Sequence, residues 1–159
     1  TPPYSSAASD VYKRQEQEYL EMTDGSGVAV ELWWLALTGV LMLVVSLPYV
    51  TDRIFTAGFG GALGNPQNNK IPHSAWAERM RAAHYNCVEN LVVFAPLCVA
   101  VVVAGQTSET TTMAAMAFFA SRVVYVVVYT FGIPIVRTLA FLVGWLSSLA
   151  LAGVLLGVI

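Results

Sequence analysis

Glu78 to Phe94 reads ERMRAAHYNCVENLVVF, and it stands at the head of a long apolar run while carrying Glu78, Arg79, Arg81, Asn86, Glu89 and Asn90. At roughly 100° per residue, Arg79, Asn86 and Asn90 fall in one narrow sector of a helix. Glu89 is offset from that sector by about a fifth of a turn, near enough to share a cleft with it. A solvated helix end accounts for Glu78. It does not account for Asn86, Glu89 and Asn90, which lie well inside the helix with apolar residues downstream. Ionisable groups at membrane depth are costly and face a bundle interior or a water-filled site. The stretch therefore reads as a polar cleft set into a membrane helix.

The rest of the composition agrees with lipid as the main solvent. The chain has 159 residues, of which 57% are hydrophobic and 11% charged, where soluble domains average about 25% charged. That length suits one domain. A net charge of −2 with no basic stripe excludes a nucleic-acid partner, since nothing would neutralise phosphates. Cys87 and Cys98 share one predicted helix and stand about 16 Å apart along its axis, too far for a disulfide. Both read as small core residues.

Around this stretch the chain divides into a polar leader, residues 1–27, and a four-helix membrane domain, residues 28–159. The leader has no apolar core of a secretory signal and is expected to be disordered. Its SSAASDVYKRQ resembles the conceptual translation of sequencing-adapter DNA, and on that resemblance the native start is expected near Glu16 to Met22, with Met22 the expected initiator. The first apolar segment runs from about Val28 to Val50, with Glu31 at its outer end and Trp33 and Trp34 near the interface. Its length matches the roughly 20 residues needed to cross a hydrocarbon core. A loop of about twenty residues is expected from Thr51 to His73, because it holds Gly58, Gly60, Gly61, Gly64, Asn65-Pro66 and Pro72. Those glycines lack phosphate-loop spacing.

Ser74 is a candidate cap for the second helix, which continues to about Ala104. A polar turn leads to a third span, Thr112 to Phe131. Gly132-Ile133-Pro134 then makes an abrupt junction, with Pro134 in the favoured first turn of a fourth helix that is apolar to Ile159. The reading is an all-α membrane bundle of four spans. Arg53, Lys70, Arg79 and Arg81 cluster at the first connection, whereas the second has only Glu109, so the loop 51–73 is expected on the cytoplasmic side.

A second polar constellation lies in the third and fourth spans. Arg122 and Tyr129 share a helix face, with Tyr125 slightly to the side. The tyrosines suit an interfacial belt, and Arg122 either snorkels or pairs with Glu89. Arg137 is unusual because a cation in the first turn of a helix opposes the macrodipole. An interfacial arginine meeting lipid phosphates is one explanation. A positive charge at a helix N-terminus is also the environment that holds a thiolate. Guanidinium groups, amides and tyrosines converging on one cleft suit a small anionic peptide that carries a thiol.

The pattern E-R-x-x-x-A-x-x-N-x-x-E at Glu78 to Glu89, the R-x-x-Y-x-x-x-Y of Arg122 to Tyr129, and then Pro134 and Arg137 together resemble the MAPEG family, the membrane-associated proteins of eicosanoid and glutathione metabolism. The short Gly132-Ile133-Pro134 junction resembles the bacterial branch. This resemblance implies a homotrimer in a bacterial inner membrane, with glutathione as thiol co-substrate bound between protomers near the cytoplasmic face. It implies that Arg79, Asn86, Glu89, Tyr125 and Tyr129 contact or frame glutathione, that Arg122 supports the site, and that Arg53 meets a glutathione carboxylate. Arg137 would be catalytic, stabilising the thiolate for attack on a lipophilic electrophile or a lipid hydroperoxide. The chain departs from the family at Ala82 and Tyr85, where relatives carry arginine. Arg81 lies about 200° around the helix from Arg79 and cannot substitute.

His73 and His84 read as loop and packing residues, and no Cys or carboxylate completes a metal spacing, so no metal is expected. No hydrolase triad signature is present. The competing reading is a non-catalytic membrane bundle that binds a lipid or protein partner through the same cleft. A transporter is disfavoured by the few spans and the absence of an inverted repeat.

Overall fold

The computed structural model describes residues 9–14, 17, 27–64 and 73–159. Among them four long helices follow in order, α1 Val30–Leu63, α2 Ala75–Val103, α3 Glu109–Thr130 and α4 Pro134–Leu155. All four are long and apolar enough to cross a membrane. The fold is the expected all-α bundle, with chain neighbours antiparallel. One end gathers Asp52, Arg79, Thr130 and the start of α4. The other gathers Glu31, Cys98 and Thr111. Of the expected leader, residues 9–14 are helical where composition predicts disorder, and Lys13 and Arg14 there are good helix formers. Most of the rest of the leader, including nearly all of the expected start at Glu16 to Met22, lies outside the described residues.

The first span corrects the sequence reading. It does not give way to a loop at Thr51 but stays helical to Leu63, broken only at Gly58 with φ 70° and ψ 169°. Residues 51–57 contain neither Gly nor Pro, and the preceding apolar span has already nucleated the helix, so each further residue is added without a new nucleation cost. The segment is also tied down. The Asp52 carboxylate accepts the Ser74 backbone N–H at 3.0 Å and lies 3.1 Å from His73 Nδ1. The connection leaves the helix only near Gly64, and Lys70, Asn65-Pro66 and Pro72 lie outside the described residues.

Local chemistry sets the other boundaries. Ser74 occupies the N-cap position of α2, but its own hydroxyl makes no cap, and Asp52 holds its N–H instead. Helix α3 starts at Glu109, three residues before the expected Thr112, because Ser108 and Thr111 form a reciprocal capping box. There the Thr111 backbone N–H donates to Ser108 Oγ at 3.3 Å and the Ser108 N–H to Thr111 Oγ1 at 2.7 Å. Pro134 opens α4 as the sequence predicts. Gly132 precedes it with φ 77°, a conformation L side chains rarely adopt, and this makes the tight α3–α4 turn.

Glu31 is buried rather than interfacial. Thr111 Oγ1 and Thr112 Oγ1 donate to its Oε1 at 2.5 and 3.1 Å, which ties α1 to the first turn of α3. Between the two ends, small residues (Ala83, Cys87, Ala114, Ala115 and Ala140) fill the helix interfaces and allow close backbone approach. Phe94 and Phe118 stack nearly parallel, with centroids 3.8 Å apart, at the centre of the apolar core. Cys87 and Cys98 are free and buried, as expected.

Candidate functional site

Helix α3 presents Arg122, Tyr125 and Tyr129 at intervals of three and four residues, so they rise along one side of it. The structure turns that row into a continuous stack. The Arg122 guanidinium carbon lies 5.3 Å from the ring centroids of both Phe118 and Tyr125. The Tyr125 and Tyr129 centroids are 5.5 Å apart at 59°. Arg137, in the first turn of α4, lies over the Tyr129 ring at 4.6 Å. Two cations are thus held against the faces of two tyrosines, an attraction set by the ring quadrupole. Tyr125 is buried and Tyr129 half-buried, while Arg137 at the head of the stack is half-exposed.

Arg79 reaches the same end from α2. Its Nε donates to the Thr130 carbonyl at 2.8 Å, satisfying one of the last free acceptors of α3. The side chain passes close to Gly132, where an added Cβ would lie 3.8 Å from Nε. Arg79 therefore spends one nitrogen on the fold, and its exposed position leaves the fork end toward solvent.

Asn86 and Asn90 come together as their spacing implies, with Asn90 Nδ2 donating to the Asn86 carbonyl at 2.8 Å and to Asn86 Oδ1 at 3.3 Å. Asn90 also edges a groove of about 250 Å³ between α2 and α4, lined by Val93, Leu97, Trp145 and Leu149. Glu89 does not join them, because it is exposed on the outer surface of α2. The expected Arg122–Glu89 pair does not form. The buried stripe of α2 runs through Ala83, Cys87 and Phe94, and Glu89 lies roughly 200° around the helix from Cys87. Arg122 instead donates from Nε to Ser121 Oγ at 3.2 Å and from Nη2 to the Ala140 carbonyl at 3.1 Å. Arg53 is half-buried on the extension of α1, next to Asp52.

The geometry thus brings Arg122, Tyr125, Tyr129 and Arg137 into one file, with Arg79 at the same end, and leaves Glu89 on an outer face. Sequence reasoning missed the cross-links that frame this end. Tyr49 Oη lies 2.8 Å from His84 Nδ1, joining α1 to α2, which makes His84 the packing residue expected. Arg81 stacks over Tyr85 at 5.3 Å, away from Arg79. Among the described residues no group of His, Cys, Asp and Glu side chains could hold a metal ion.

The model of the MAPEG family matches residues 31–157, which covers all four helices. Comparison with curated proteins returns no match.

Proposed function

The chain belongs to the MAPEG family, and from that premise we propose that it is a glutathione-dependent membrane transferase or peroxidase of the bacterial type. Four apolar helices and this membership make it an integral multi-pass membrane protein. The observation that carries the functional reading is Arg137, a guanidinium in the first turn of α4 that is held over the Tyr129 ring. A cation there adds to the partial positive charge of the helix N-terminus. That environment favours a thiolate over a thiol. Arg79 supplies a guanidinium fork for a glutathione carboxylate, and Tyr129 supplies a hydroxyl under Arg137.

In this reading glutathione loses its thiol proton to water as it binds. The thiolate then forms a C–S bond with an electrophilic carbon of a lipophile, displacing its leaving group. Alternatively it attacks the outer oxygen of a lipid hydroperoxide, breaking the O–O bond to release an alkoxide that water protonates. The resulting sulfenic acid condenses with a second glutathione to give the disulfide and water. Lipophiles arrive through the bilayer, and the first connection and the Arg137 end face the cytoplasm of a bacterial inner membrane. Glu89, Asn86 and Arg53 complete the site from a neighbouring copy in a homotrimer. An exposed carboxylate several turns inside a membrane-spanning helix supports that arrangement, since lipid is a poor neighbour for it.

The test is glutathione binding to the detergent-purified protein by calorimetry, with an ultraviolet difference scan for thiolate. Saturable binding with a thiolate band that disappears in Arg137→Ala, while the assembly size is unchanged, is the expected result. No binding at millimolar glutathione sinks the reading.

A further inference from the structure

Arg122 is 0% exposed, yet among the described residues no carboxylate meets it. Its charge is taken up by neutral groups alone. These are Ser121 Oγ, the Ala140 and Phe141 carbonyls at 3.1 and 3.5 Å from Nη2, the Cys87 thiol, and the Phe118 and Tyr125 rings. Nη1 is buried with no hydrogen-bond partner. A buried cation paired this loosely is held by the shape of its enclosure more than by any one acceptor.

Gly144 supplies that shape. A Cβ built at Gly144 would overlap Arg122 Nη2 and come within 2.8 Å of both Arg122 Cζ and Ser121 Oγ. Its backbone is ordinary helix in the middle of α4. Alanine would suit that backbone better than glycine does, so the missing side chain serves the guanidinium and not the turn of the chain.

We propose that Gly144 is a positioning residue for the candidate site. The recess in α4 left by its missing side chain seats Arg122, and Arg122, through Tyr125 and Tyr129, sets where Arg137 stands. The route is made of contacts in sequence. A guanidinium is the end of a flexible chain, and on a surface it would swing aside. Here Ser121, Ala140, Phe118 and the Cys87 thiol enclose it, so a side chain at position 144 drives it toward the Tyr125 ring. That ring packs on Tyr129, 5.5 Å away, and Tyr129 lies under Arg137. Gly144 and Arg137 are themselves about 10 Å apart along α4, too far for a direct push. The effect on a bound thiolate rests on the glutathione reading given above. The coupling between Gly144 and Arg137 does not.

The experiment labels the arginine side chains with ¹⁵N and follows their guanidinium signals in micelles of the full chain, with the Arg137 signal assigned by its loss in Arg137→Lys. Gly144→Ala should move the signals of both Arg122 and Arg137. Gly39→Ala, whose new Cβ meets nothing within 4 Å, should move neither. Arg122→Met leaves the recess intact and should also displace the Arg137 signal, which keeps the test open if Gly144→Ala does not fold. An Arg137 signal unmoved in Arg122→Met, or in a folded Gly144→Ala, overturns the proposal. With glutathione present, Gly144→Ala should lower the thiolate-to-thiol ratio by about tenfold, which corresponds to about 1.4 kcal/mol of lost thiolate stabilisation. If the Arg137 signal moves but the unaltered protein shows no thiolate band, the positioning role stands and the thiol reading alone falls.

Discussion

The guanidinium of Arg137 lies 4.6 Å from the centroid of the Tyr129 ring, which joins the first turn of α4 to the last turn of α3 across Gly132. The ring face offsets part of the unfavourable encounter between a cation and a helix N-terminus. Tyr129→Phe keeps that face and removes only the hydroxyl, whereas Tyr129→Leu removes the face itself. With a cation–π contact contributing about 1 kcal/mol, the leucine variant should retain roughly fivefold less bound thiolate than the phenylalanine variant. Equal losses in a difference-absorbance titration would show that the hydroxyl, and not the ring, holds Arg137 in place.

Arg79 bonds the end of α3 and, in the proposed function, also holds a glutathione carboxylate, and the two roles can be separated. A lysine can still reach the Thr130 carbonyl, but it loses the planar fork that grips a carboxylate. Arg79→Lys should therefore weaken glutathione binding by about tenfold, or about 1.4 kcal/mol, and leave the melting temperature within a few degrees of its original value. Calorimetry and thermal denaturation on one preparation give both numbers. A large drop in melting temperature with unchanged affinity would make Arg79 a structural cap alone.

At the opposite end, Glu31 is 1% exposed, and Oε1 accepts from Thr111 and Thr112 while Oε2 has no partner. Hydrogen bonds between membrane helices contribute about 0.6 kcal/mol on average and up to about 1.7. Thr111→Val loses both the bond to Glu31 and half of the α3 capping box and should lower unfolding stability by about 1–2 kcal/mol. Glu31→Ala should cost about 2–3 kcal/mol, since the Thr112 hydroxyl loses its acceptor, Thr111 keeps only its contacts to Ser108, and a gap opens besides. Glu31→Gln keeps an acceptor oxygen and should be the mildest. Mixed-micelle unfolding by detergent ranks the three, and equal stabilities would mean the link between α1 and α3 is not under load.

How much of this was readable in the chain depends on whether a feature is local. Helix periodicity placed Arg122, Tyr125 and Tyr129 on one side of α3, and Pro134 marked the start of α4, because both follow from spacing and backbone geometry. The Asn86–Asn90 contact was readable for the same reason. The extension of α1 to Leu63 was not. Its glycines argue for a loop, and the Asp52 contacts that hold it come from residues more than twenty positions away. The surroundings of Arg122 are not readable either, because charge offers Glu89 as one partner while packing turns the guanidinium to Gly144. A glycine in an apolar helix gives no hint of what its empty volume holds until the neighbouring helix is in place. Glu31 has the same lesson at the other end, where two threonines eighty residues on convert an interfacial acid into a buried one.

The turn at Phe131 to Ile133 is so short that α3 and α4 make a single hairpin, and Arg122, Tyr125, Tyr129, Arg137 and Gly144 all lie within it. Closing so small a loop loses little chain entropy, and contacts of low sequence separation form fast. The stack can therefore be assembled as soon as the last two helices enter the bilayer as a pair, before α1 and α2 have settled against them. Damage to the first half of the chain and damage to the second should then differ in kind. The former delays or loosens assembly around a stack already formed, and the latter leaves nothing to assemble around.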